Sequence, residues 1–381
     1  MAEPSLSLAL VAGEASGDLL ASLLIQGLQA RWPELKTQGI GGPRMAARGF
    51  EAWWPSSKLS VFGYVDALLN IRELLAIRRQ VGDRLLAQPP AAFIGVDAPD
   101  FNFGLEQRLR EAGVKTVHFV CPSIWAWRAE RVEKIKRSAD HVLCLFPFEP
   151  ELLQAHGIGA SYVGHPLADA IPLQPQQTQA RSALKLGAAD TVVALLPGSR
   201  RSEIRYIAEP LLRAAVLMQR ARPELRFVMP VAPGLRSLID PLVARHAPGL
   251  QLDLLDGRSH EALAACDITL VASGTATLEA ALFKRPMVIA YRMHALNWWR
   301  MKGKNYQPWV GLPNVLARDF IVPELIQDEC TPEALAREGL AWLDDAPRCE
   351  RARAMFQQQH ELLRCNTAQK ACDAIAQVLG C

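Results

Sequence analysis

Short runs of consecutive apolar residues recur along this chain, and longer segments with helical periodicity separate them. Strands with one exposed face alternate apolar and polar residues, so unbroken apolar runs indicate strands that are buried on both faces. Strands of this kind, separated by helices, predict right-handed βαβ units and parallel sheets. The predicted strands cover residues 6–11, 91–96, 116–120, 141–145, 192–196, 226–230, 268–272 and 287–291.

A segment rich in proline and glutamine, residues 171–179, divides the chain into two α/β halves of similar size. The length of 381 residues suits two or three domains of roughly 150 residues each. We predict Rossmann-like domains over residues 1–172 and 173–347, followed by a helical segment over residues 348–381. Because open parallel sheets bind ligands at the carboxyl ends of their strands, we expect a functional cleft between the two domains.

Composition and charge exclude several classes of protein. Apolar residues make up 50% of the chain and charged residues 21%, which excludes general disorder. The formal charge of +3 is too small for a purely electrostatic nucleic-acid binder. No charge-free apolar stretch reaches the ~18 residues of a membrane helix, and no basic residue precedes Arg31, as one would in a signal peptide. Eight scattered cysteines without C-x-x-C spacing favour the reducing cytoplasm.

Two polar loops follow strands of the first half. The loop from Gly13 to Asp18 contains two glycines, which let backbone N–H groups approach an anionic or sugar ligand. The carboxylates of Glu14 and Asp18 suit sugar hydroxyls better than a phosphate. The alternative is an ordinary turn in which Ser16 or Asp18 caps the next helix.

Asp97 directly follows the strand FIGV, so its carboxylate is expected at the carboxyl end of a parallel sheet. That position suits a general base, provided that burial raises the pKa of Asp97 toward neutrality. Asp100 competes for the role, although its position after Pro99 also suits a helix N-cap. Trp125 and Trp127 follow another strand and either pack in the core or form a wall for a substrate.

Two further loops follow strands of the second half. Gly198, Ser199 and Arg200 offer backbone, hydroxyl and guanidinium donors that suit a diphosphate. Neither a Walker loop nor a G-x-G-x-x-G fingerprint is present, which argues against a dehydrogenase. Residues 273–277 place serine, glycine and threonine donors at a helix start, and Glu279 is placed to bind the hydroxyls of a ribose. A simple capping motif is the alternative.

The motifs AGEASGD, GVDAPDFN, PSIWAWR, LPGSR, LLDG, SGTATLE, YRM and LPN follow one another along the chain. In this order they resemble the lipid-A-disaccharide synthase family over nearly the whole length. The resemblance implies a GT-B fold of two Rossmann-like domains, with nucleotide held mainly by the second. It also implies an inverting glycosyltransferase of lipid A biosynthesis. Such an enzyme condenses UDP-2,3-diacylglucosamine with 2,3-diacylglucosamine 1-phosphate into a β(1→6)-linked disaccharide 1-phosphate and releases UDP.

The resemblance assigns the acceptor to the first domain and roles to individual residues. Asp97 would be the base on the acceptor 6-hydroxyl. The charge of departing UDP would be stabilised by Arg200 and the helix start near Ser273. No cofactor or metal ion is expected, because the chain has no Asp-x-Asp pair. The implied UDP-sugar contacts are Gly198, Ser199, Arg200, Leu255, Ser273, Gly274, Thr275, Thr277 and Glu279. The implied contacts to the acceptor or donor sugar are Gly13, Glu14, Ser16, Asp18, Trp127 and Asn314.

Substrates with acyl chains make two apolar segments informative. Residues 61–86 carry more apolar side chains than one buried helix face needs, with arginines at the margins, which suits an anionic inner-membrane surface. Residues 291–304 combine tryptophans with basic residues, as in an interfacial belt. The alternatives are a helix wedged between neighbours and a packed loop. The predicted membrane contacts are Phe62, Val65, Leu68, Leu69, Leu75, Trp298 and Trp299.

Two questions stay open at the level of sequence: where the C-terminal helices pack, and which function the chain has. The C-terminal helices either return to the N-terminal domain or exchange between protomers of a homodimer. The principal alternative function is another GT-B enzyme that acts on a UDP-sugar, such as a UDP-N-acetylglucosamine 2-epimerase. A nucleotide-binding module without catalytic activity is the third hypothesis.

Overall fold

The computed structural model describes residues 6–59, 64–126, 131–294, 298–299 and 307–381, without the side chains of residues 14–15 and 64–70. The chain forms two units. One unit contains Met1–Ala170 together with Leu363–Cys381, and the other contains Ile171–Leu362. The division therefore lies at the start of the segment that is rich in proline and glutamine.

The first unit contains a parallel sheet in the order β3-β2-β1-β4-β5-β6-β7. Its strands are β1 (Ser7–Ala12), β2 (Lys36–Gly41), β3 (Glu51–Pro55), β4 (Ala92–Val96), β5 (Lys115–Phe119), β6 (His141–Cys144) and β7 (Ala160–Tyr162). Its helices up to the division are α1 (Glu14–Arg31), α2 (Pro43–Ala46), α3 (Tyr64–Ala87), α4 (Pro99–Glu111), α5 (Val132–Ser138), α6 (Glu149–Gln154) and α7 (Pro166–Ala170).

Burial of β1 explains why the strand is apolar throughout. Leu8 and Leu10 pack in one cluster with side chains of α1, such as Leu24. Ala9 and Val11 face the opposite side and pack in a second cluster with side chains of α3 and α4. Both faces of the strand are therefore covered by helices, as the unbroken apolar run predicts.

The second unit contains a parallel sheet in the order β10-β9-β8-β11-β12-β13. Its strands are β8 (Val192–Leu196), β9 (Arg226–Val231), β10 (Leu252–Asp256), β11 (Ile268–Ala272), β12 (Met287–Tyr291) and β13 (Glu324–Ile326). Its helices are α8 (Gln177–Ala183), α9 (Arg201–Glu203), α10 (Glu209–Ala221), α11 (Arg236–His246), α12 (Ser259–Ala265), α13 (Thr275–Leu282), α14 (Leu312–Ala317), α15 (Pro332–Asp344) and α16 (Ala346–Leu363). A π-helical turn, Ile204–Ala208, joins α9 to α10.

The last helix, α17 (Thr367–Leu379), belongs to the first unit and packs against α1 of the same chain. A Cβ added at Gly27 would lie only 2.4 Å from the Cβ of Ala368, so the two helices cross in close contact. The preceding helix α16 lies almost entirely in the second unit. The segment 348–381 is therefore shared between the two units.

Each sheet reverses its direction of winding at one point. In the first sheet this switch point lies between β1 and β4, and in the second it lies between β8 and β11. Loops leave the two strands of a switch point in opposite directions and open a crevice at their carboxyl ends. The four polar loops of the sequence analysis follow these four strands.

Candidate active site

The turn that follows β4 is strained. Asp97 and Ala98 have φ angles of 50° and 43°, a left-handed conformation that residues other than glycine seldom adopt. The N–H of Asp97 donates to the carbonyl of Phe119 on β5, at 2.9 Å. The next residue on that strand end, Val120, has a φ of 83°, which is rarer still for a β-branched side chain. Strain of this kind concentrates at active sites, because only the surrounding structure maintains it.

The loop after β1 lies against the Asp97 turn. A Cβ added at Gly13 would lie 3.3 Å from the Cβ of Ala98, and one added at Gly17 would lie 3.8 Å from the carbonyl oxygen at the end of β4. Gly13 therefore lets the loop approach the Asp97 turn closely, whereas Gly17, in the first turn of α1, leaves room for a side chain. Ser16 is half-buried between them. The side chain of Glu14 lies outside the described residues.

Asp18 has a structural role in place of the predicted sugar contact. Its buried carboxylate accepts hydrogen bonds from the backbone N–H groups of Gly42, Arg44 and Met45, at 2.9, 3.0 and 3.1 Å. These groups lie at the start of α2, where N–H groups lack partners within the helix. Both oxygens of Asp18 are therefore engaged in the fold.

The loop after β5 packs its first tryptophan inside the unit. Trp125 presents its edge to Phe148 at a centroid distance of 5.4 Å and donates its indole N–H to Glu149 at 3.0 Å. This contact supports the packing alternative for Trp125. Trp127, predicted to contact a sugar, lies outside the described residues.

Glu149 is the centre of a buried cluster with Cys121 and Cys144, whose potential ligand atoms lie within 4.8 Å of one another. Burial raises the pKa of Glu149 to about 8, although hydrogen bonds from Phe146 and Trp125 act in the opposite direction. The hydrogen bond with Cys144, together with burial, raises the pKa of Cys121. The distances among the three ligand atoms suit a metal ion. The raised pKa values of Glu149 and Cys121, however, favour the protonated forms, which lack the negative charge of metal ligands.

At the second switch point, the loop after β8 is closed by a residue to which the sequence analysis gave no role. Glu203 accepts hydrogen bonds from the N–H groups of Ser199 and Arg200, at 2.8 and 3.1 Å, and forms an ion pair with the Arg200 guanidinium at 3.3 Å. Gly198, with a φ of 107°, is needed because a Cβ there would lie 2.3 Å from the Glu203 carboxylate. Glu203 lies three residues after Arg200, as the acid of a capping box does, but Arg200 is not the serine or threonine that the motif requires, so the sequence carried no clear signal for this role.

The loop after β11 presents its donors to solvent. Gly274 and Thr275 are exposed at the start of α13. The hydroxyl of Ser273 donates to the carbonyl of Val310 at 3.1 Å. Thr277, predicted to contact UDP-sugar, is fully buried and donates to the carbonyl of Gly274 at 2.8 Å, so it stabilises the turn instead.

Glu279 lies one turn inside α13 and pairs with His260, a second residue that the sequence analysis missed. The Nε2 atom of His260 lies 3.0 Å from Oε2 of Glu279. Leu255 lies near the carboxyl end of β10, the edge strand, and is half-buried. It is separated from β8 by β9 and therefore lies away from the switch point.

Asn314 has no exposed surface, which corrects its predicted role as a direct sugar contact. Its amide nitrogen donates to the carbonyl of Val322 and to the Glu324 carboxylate, both at 2.9 Å. Its oxygen accepts from the N–H groups of Ile321 and Val322. Glu324 also accepts from the backbone N–H of Gly311. Asn314 thus holds the loop that flanks Ser273.

The predicted membrane contacts are described only in part. Leu75 on α3 is 47% exposed and the neighbouring Ile71 is 45% exposed. Trp299 is 74% exposed, whereas Trp298 is half-buried. Within the described residues, no helix combines the length and hydropathy that crossing a membrane requires. Phe62 and the side chains of Val65, Leu68 and Leu69 lie outside the described residues.

The chain contains two doubly wound units. A strained turn carries a carboxylate residue at the first switch point, and exposed donors lie at a helix start at the second. These features define a two-domain α/β enzyme of the GT-B class. Solved structures agree with the fold. The UDP-N-acetylglucosamine 2-epimerase of Neisseria meningitidis matches 98% of this chain and 99% of its own, with a TM-score of 0.68 and 12% identity. A calicheamicin glycosyltransferase matches 99% of each chain, with a TM-score of 0.61 and 16% identity. At these identities the likeness concerns the fold alone, and it confirms the predicted fold class.

Sequence comparisons identify the family. The family model described as lipid-A-disaccharide synthetase matches residues 8–378. The lipid-A-disaccharide synthase of Verminephrobacter eiseniae is 59% identical over 380 residues, with 98% of each chain covered. That of Albidiferax ferrireducens is 57% identical and covers 98% of this chain and 97% of its own. This chain belongs to the lipid-A-disaccharide synthase family, and the predicted enzyme class, a glycosyltransferase, is confirmed.

Proposed function

We propose that this enzyme condenses UDP-2,3-diacylglucosamine with 2,3-diacylglucosamine 1-phosphate. The products are a β(1→6)-linked disaccharide 1-phosphate and UDP. The observation that carries the mechanism is the strained turn at the first switch point, which holds the Asp97 carboxylate residue in a constrained conformation. The second switch point differs, because its hydrogen-bond donors are exposed. Family membership over residues 8–378 supports the choice of reaction.

Asp97 acts as the general base on the acceptor. Its α-carbon lies at the carboxyl end of β4, and its φ of 50° marks a turn that the surrounding structure must maintain. The acceptor 6-hydroxyl is a weak nucleophile until its proton moves to a base, and the carboxylate of Asp97 accepts that proton. The oxygen then attacks the anomeric carbon on the face opposite UDP, which inverts the configuration.

The second unit binds the donor and receives the charge of departing UDP. The exposed N–H groups at Gly274 and Thr275 lie at the positive end of α13, where a diphosphate is stabilised. Arg200 adds a guanidinium, and a diphosphate at the Ser199 amide displaces the Glu203 carboxylate. Glu279 and His260 are placed for hydroxyl groups of the ribose, and the backbone near Leu255 for uracil. These donors supply positive charge without a metal ion.

The acyl chains of both substrates place the enzyme at the cytoplasmic surface of the inner membrane. Ile71 and Leu75 are exposed aliphatic side chains on the same helix, α3, and Trp299 is an exposed indole. An exposed apolar helix face with arginines nearby suits the interface with anionic lipids. Phe62 and the side chains of Val65, Leu68 and Leu69, which the sequence predicts as further membrane contacts, lie outside the described residues. The contact between α17 and α1 of the same chain supports the return of the C-terminal helix to the first unit, and a homodimer would then form without its exchange.

The epimerase alternative is not favoured by any residue of the site. The similarity to UDP-N-acetylglucosamine 2-epimerases is 12% identity, whereas lipid-A-disaccharide synthases reach 59%. An epimerase also has no lipid substrate that would explain an exposed aliphatic face on α3.

The proposed reaction is tested with purified enzyme and both substrates in mixed micelles, with and without a chelator. Mass spectrometry detects the disaccharide, and a coupled assay measures UDP. We expect equal amounts of both products, unchanged by the chelator. UDP release without disaccharide would contradict the choice of acceptor. Loss of both products with chelator would contradict the metal-free mechanism.

A further inference from the structure

Three fully buried polar side chains, Asn102, Glu106 and His118, form a cluster next to the Asp97 turn. Asn102 and Glu106 lie one turn apart on α4, and His118 lies on β5. The Nδ1 atom of His118 is 2.7 Å from Oε1 of Glu106, with both side chains completely inaccessible to solvent. None of the three has surface exposed to a ligand, so any contribution to the reaction passes through a neighbouring residue.

The amide of Asn102 joins both strands of the first switch point. Its Nδ2 donates to the carbonyl of Asp97 at 2.8 Å and to the carbonyl of Val11 on β1 at 3.3 Å. The same nitrogen therefore fixes the strained turn and connects it to the strand that leads into the Gly13 loop. Since left-handed residues persist only where the surroundings enforce them, this hydrogen bond helps to hold the conformation of Asp97.

The backbone of β4 is adapted to the cluster. Gly95 is paired with His118 in the sheet. A Cβ added at Gly95 would lie 2.0 Å from Oε1 of Glu106 and 3.0 Å from the Cβ of Asn102. Any larger residue at this position would displace the cluster from the strand that carries Asp97.

The cluster is poorly explained by stability alone. Oδ1 of Asn102, Oε2 of Glu106 and Nε2 of His118 have no hydrogen-bond partner among the described residues. Buried polar atoms without partners lower stability, and apolar side chains of similar volume would avoid that loss. Unsatisfied polar groups that adjoin a strained turn therefore suggest a functional purpose.

We propose that Asn102 is a positioning residue that orients Asp97 toward the acceptor, and that the Glu106–His118 pair, which joins α4 to β5, fixes the helix that carries Asn102. The proposal rests on the proposed role of Asp97 as general base. Asn102 fixes the backbone at Asp97, and the backbone determines the direction of the carboxylate. A displacement of about 1 Å at a reacting group lowers rates by up to ~10²-fold.

The first test measures kcat and KM of Asn102→Ala for both substrates. We expect kcat to fall by about 10- to 100-fold, with the KM for the UDP-sugar within about threefold of wild type. The matched control is Ser138→Ala. Ser138 is also buried and donates to the carbonyl of Phe103, the next residue on α4, at 3.0 Å. This control should lower thermal stability and leave kcat unchanged.

A double-mutant cycle separates positioning from a general effect on the fold. In an Asp97→Asn background, Asn102→Ala should change the residual rate by less than about twofold, because both substitutions act on the same carboxylate. A loss of the same size in both backgrounds would overturn the proposal. If Asn102→Ala does not fold, Glu106→Gln enters the same cycle, since it keeps an oxygen acceptor for His118. Its kcat loss must likewise disappear in the Asp97→Asn background.

The outcomes distinguish this inference from the proposed function. Wild-type kcat in both Asn102→Ala and Glu106→Gln would overturn the positioning role, and Asp97 would remain the base. Near-wild-type turnover of Asp97→Asn itself would overturn the assignment of the base.

Discussion

The two switch points of this chain use polar residues in opposite ways. At the first, Asp18 and Asn102 are buried and bonded to the backbone, and Asn102 bonds the strained turn that carries Asp97. At the second, Gly274 and Thr275 leave the donors of a helix start exposed. A base must be held in a fixed geometry, whereas an anion needs accessible donors. The difference supports the proposed division, with proton transfer in the first unit and nucleotide binding in the second.

The largest effect is expected for Asp97→Asn. Asparagine keeps the size of aspartate and tolerates the left-handed conformation, but it cannot accept the proton. We expect kcat to fall by about 10²- to 10⁴-fold, measured as disaccharide formed per minute. Turnover within about tenfold of wild type would remove Asp97 as the base and would end the division of roles between the switch points.

Asn314→Ala tests whether a buried polar residue of the second unit stabilises the fold or takes part in the reaction. The substitution removes one donor from Glu324, the donor to the carbonyl of Val322 and the acceptor of two backbone N–H groups, so we expect a loss of about 2–3 kcal/mol in the free energy of unfolding. Urea denaturation measures this loss. Unchanged stability with abolished turnover would contradict the structural role and return Asn314 to the substrate site.

Ile71→Ser combined with Leu75→Ser tests whether the first unit also carries the membrane surface. Losing two half-exposed aliphatic side chains should lower partitioning onto anionic vesicles by about tenfold, as measured by sedimentation. Leu362→Ser is the matched control, because Leu362 on α16 is as exposed as Leu75, at 47%. An equal loss in the control would contradict a localised surface on α3.

The smallest expected effect concerns the buried acid of the first unit. The pKa of Glu149 is raised from 4.5 to about 8 in the folded chain, so the folded state binds more protons than the unfolded state between these values. Stability from this group is therefore lost as pH rises from about 4.5 to 8. His165 acts in the opposite sense, because burial lowers its pKa from 6.5 to about 4, so its contribution rises with pH and levels off above about 6.5.

Only Glu149 of this pair therefore lowers stability between pH 6.5 and 8. We expect the free energy of unfolding to fall by about 1–2 kcal/mol across this window because of Glu149. Glu149→Gln, which mimics the protonated acid, should flatten the curve measured by urea denaturation at each pH. An unchanged slope would contradict the assignment of the titration to Glu149.

The fold followed from the sequence wherever strands are buried on both faces. All eight predicted strands correspond to β1, β4, β5, β6, β8, β9, β11 and β12. The other five strands were missed. Four of them, β3, β7, β10 and β13, are edge strands that lack an unbroken apolar run, and β2 contains exposed and polar positions. Edge strands have one neighbour and partly exposed faces, so no continuous apolar signal marks them.

The positions of the site loops were predictable, but the roles of individual side chains were not. Each predicted loop follows a strand of a switch point or its neighbour, because strand order alone places carboxyl ends together. Whether a polar side chain turns outward or into the fold depends on the partner that it meets in the folded chain. Asp18 accepts from backbone groups at the start of α2, distant in sequence, whereas Thr277 bonds its own turn. Neither the role of Glu203 nor the contact between Glu106 and His118 carried a clear sequence signal.

The division of roles between the switch points is tested most directly by measuring UDP affinity and turnover in two variants. Calorimetry gives the dissociation constant of UDP, and the micelle assay gives kcat. Asp97→Asn should bind UDP as wild type does and turn over at least about 10²-fold more slowly. Thr275→Asp, which adds a negative charge at the exposed first residue of α13, should weaken UDP binding by about tenfold or more. UDP affinity lost in Asp97→Asn and retained in Thr275→Asp would contradict the account.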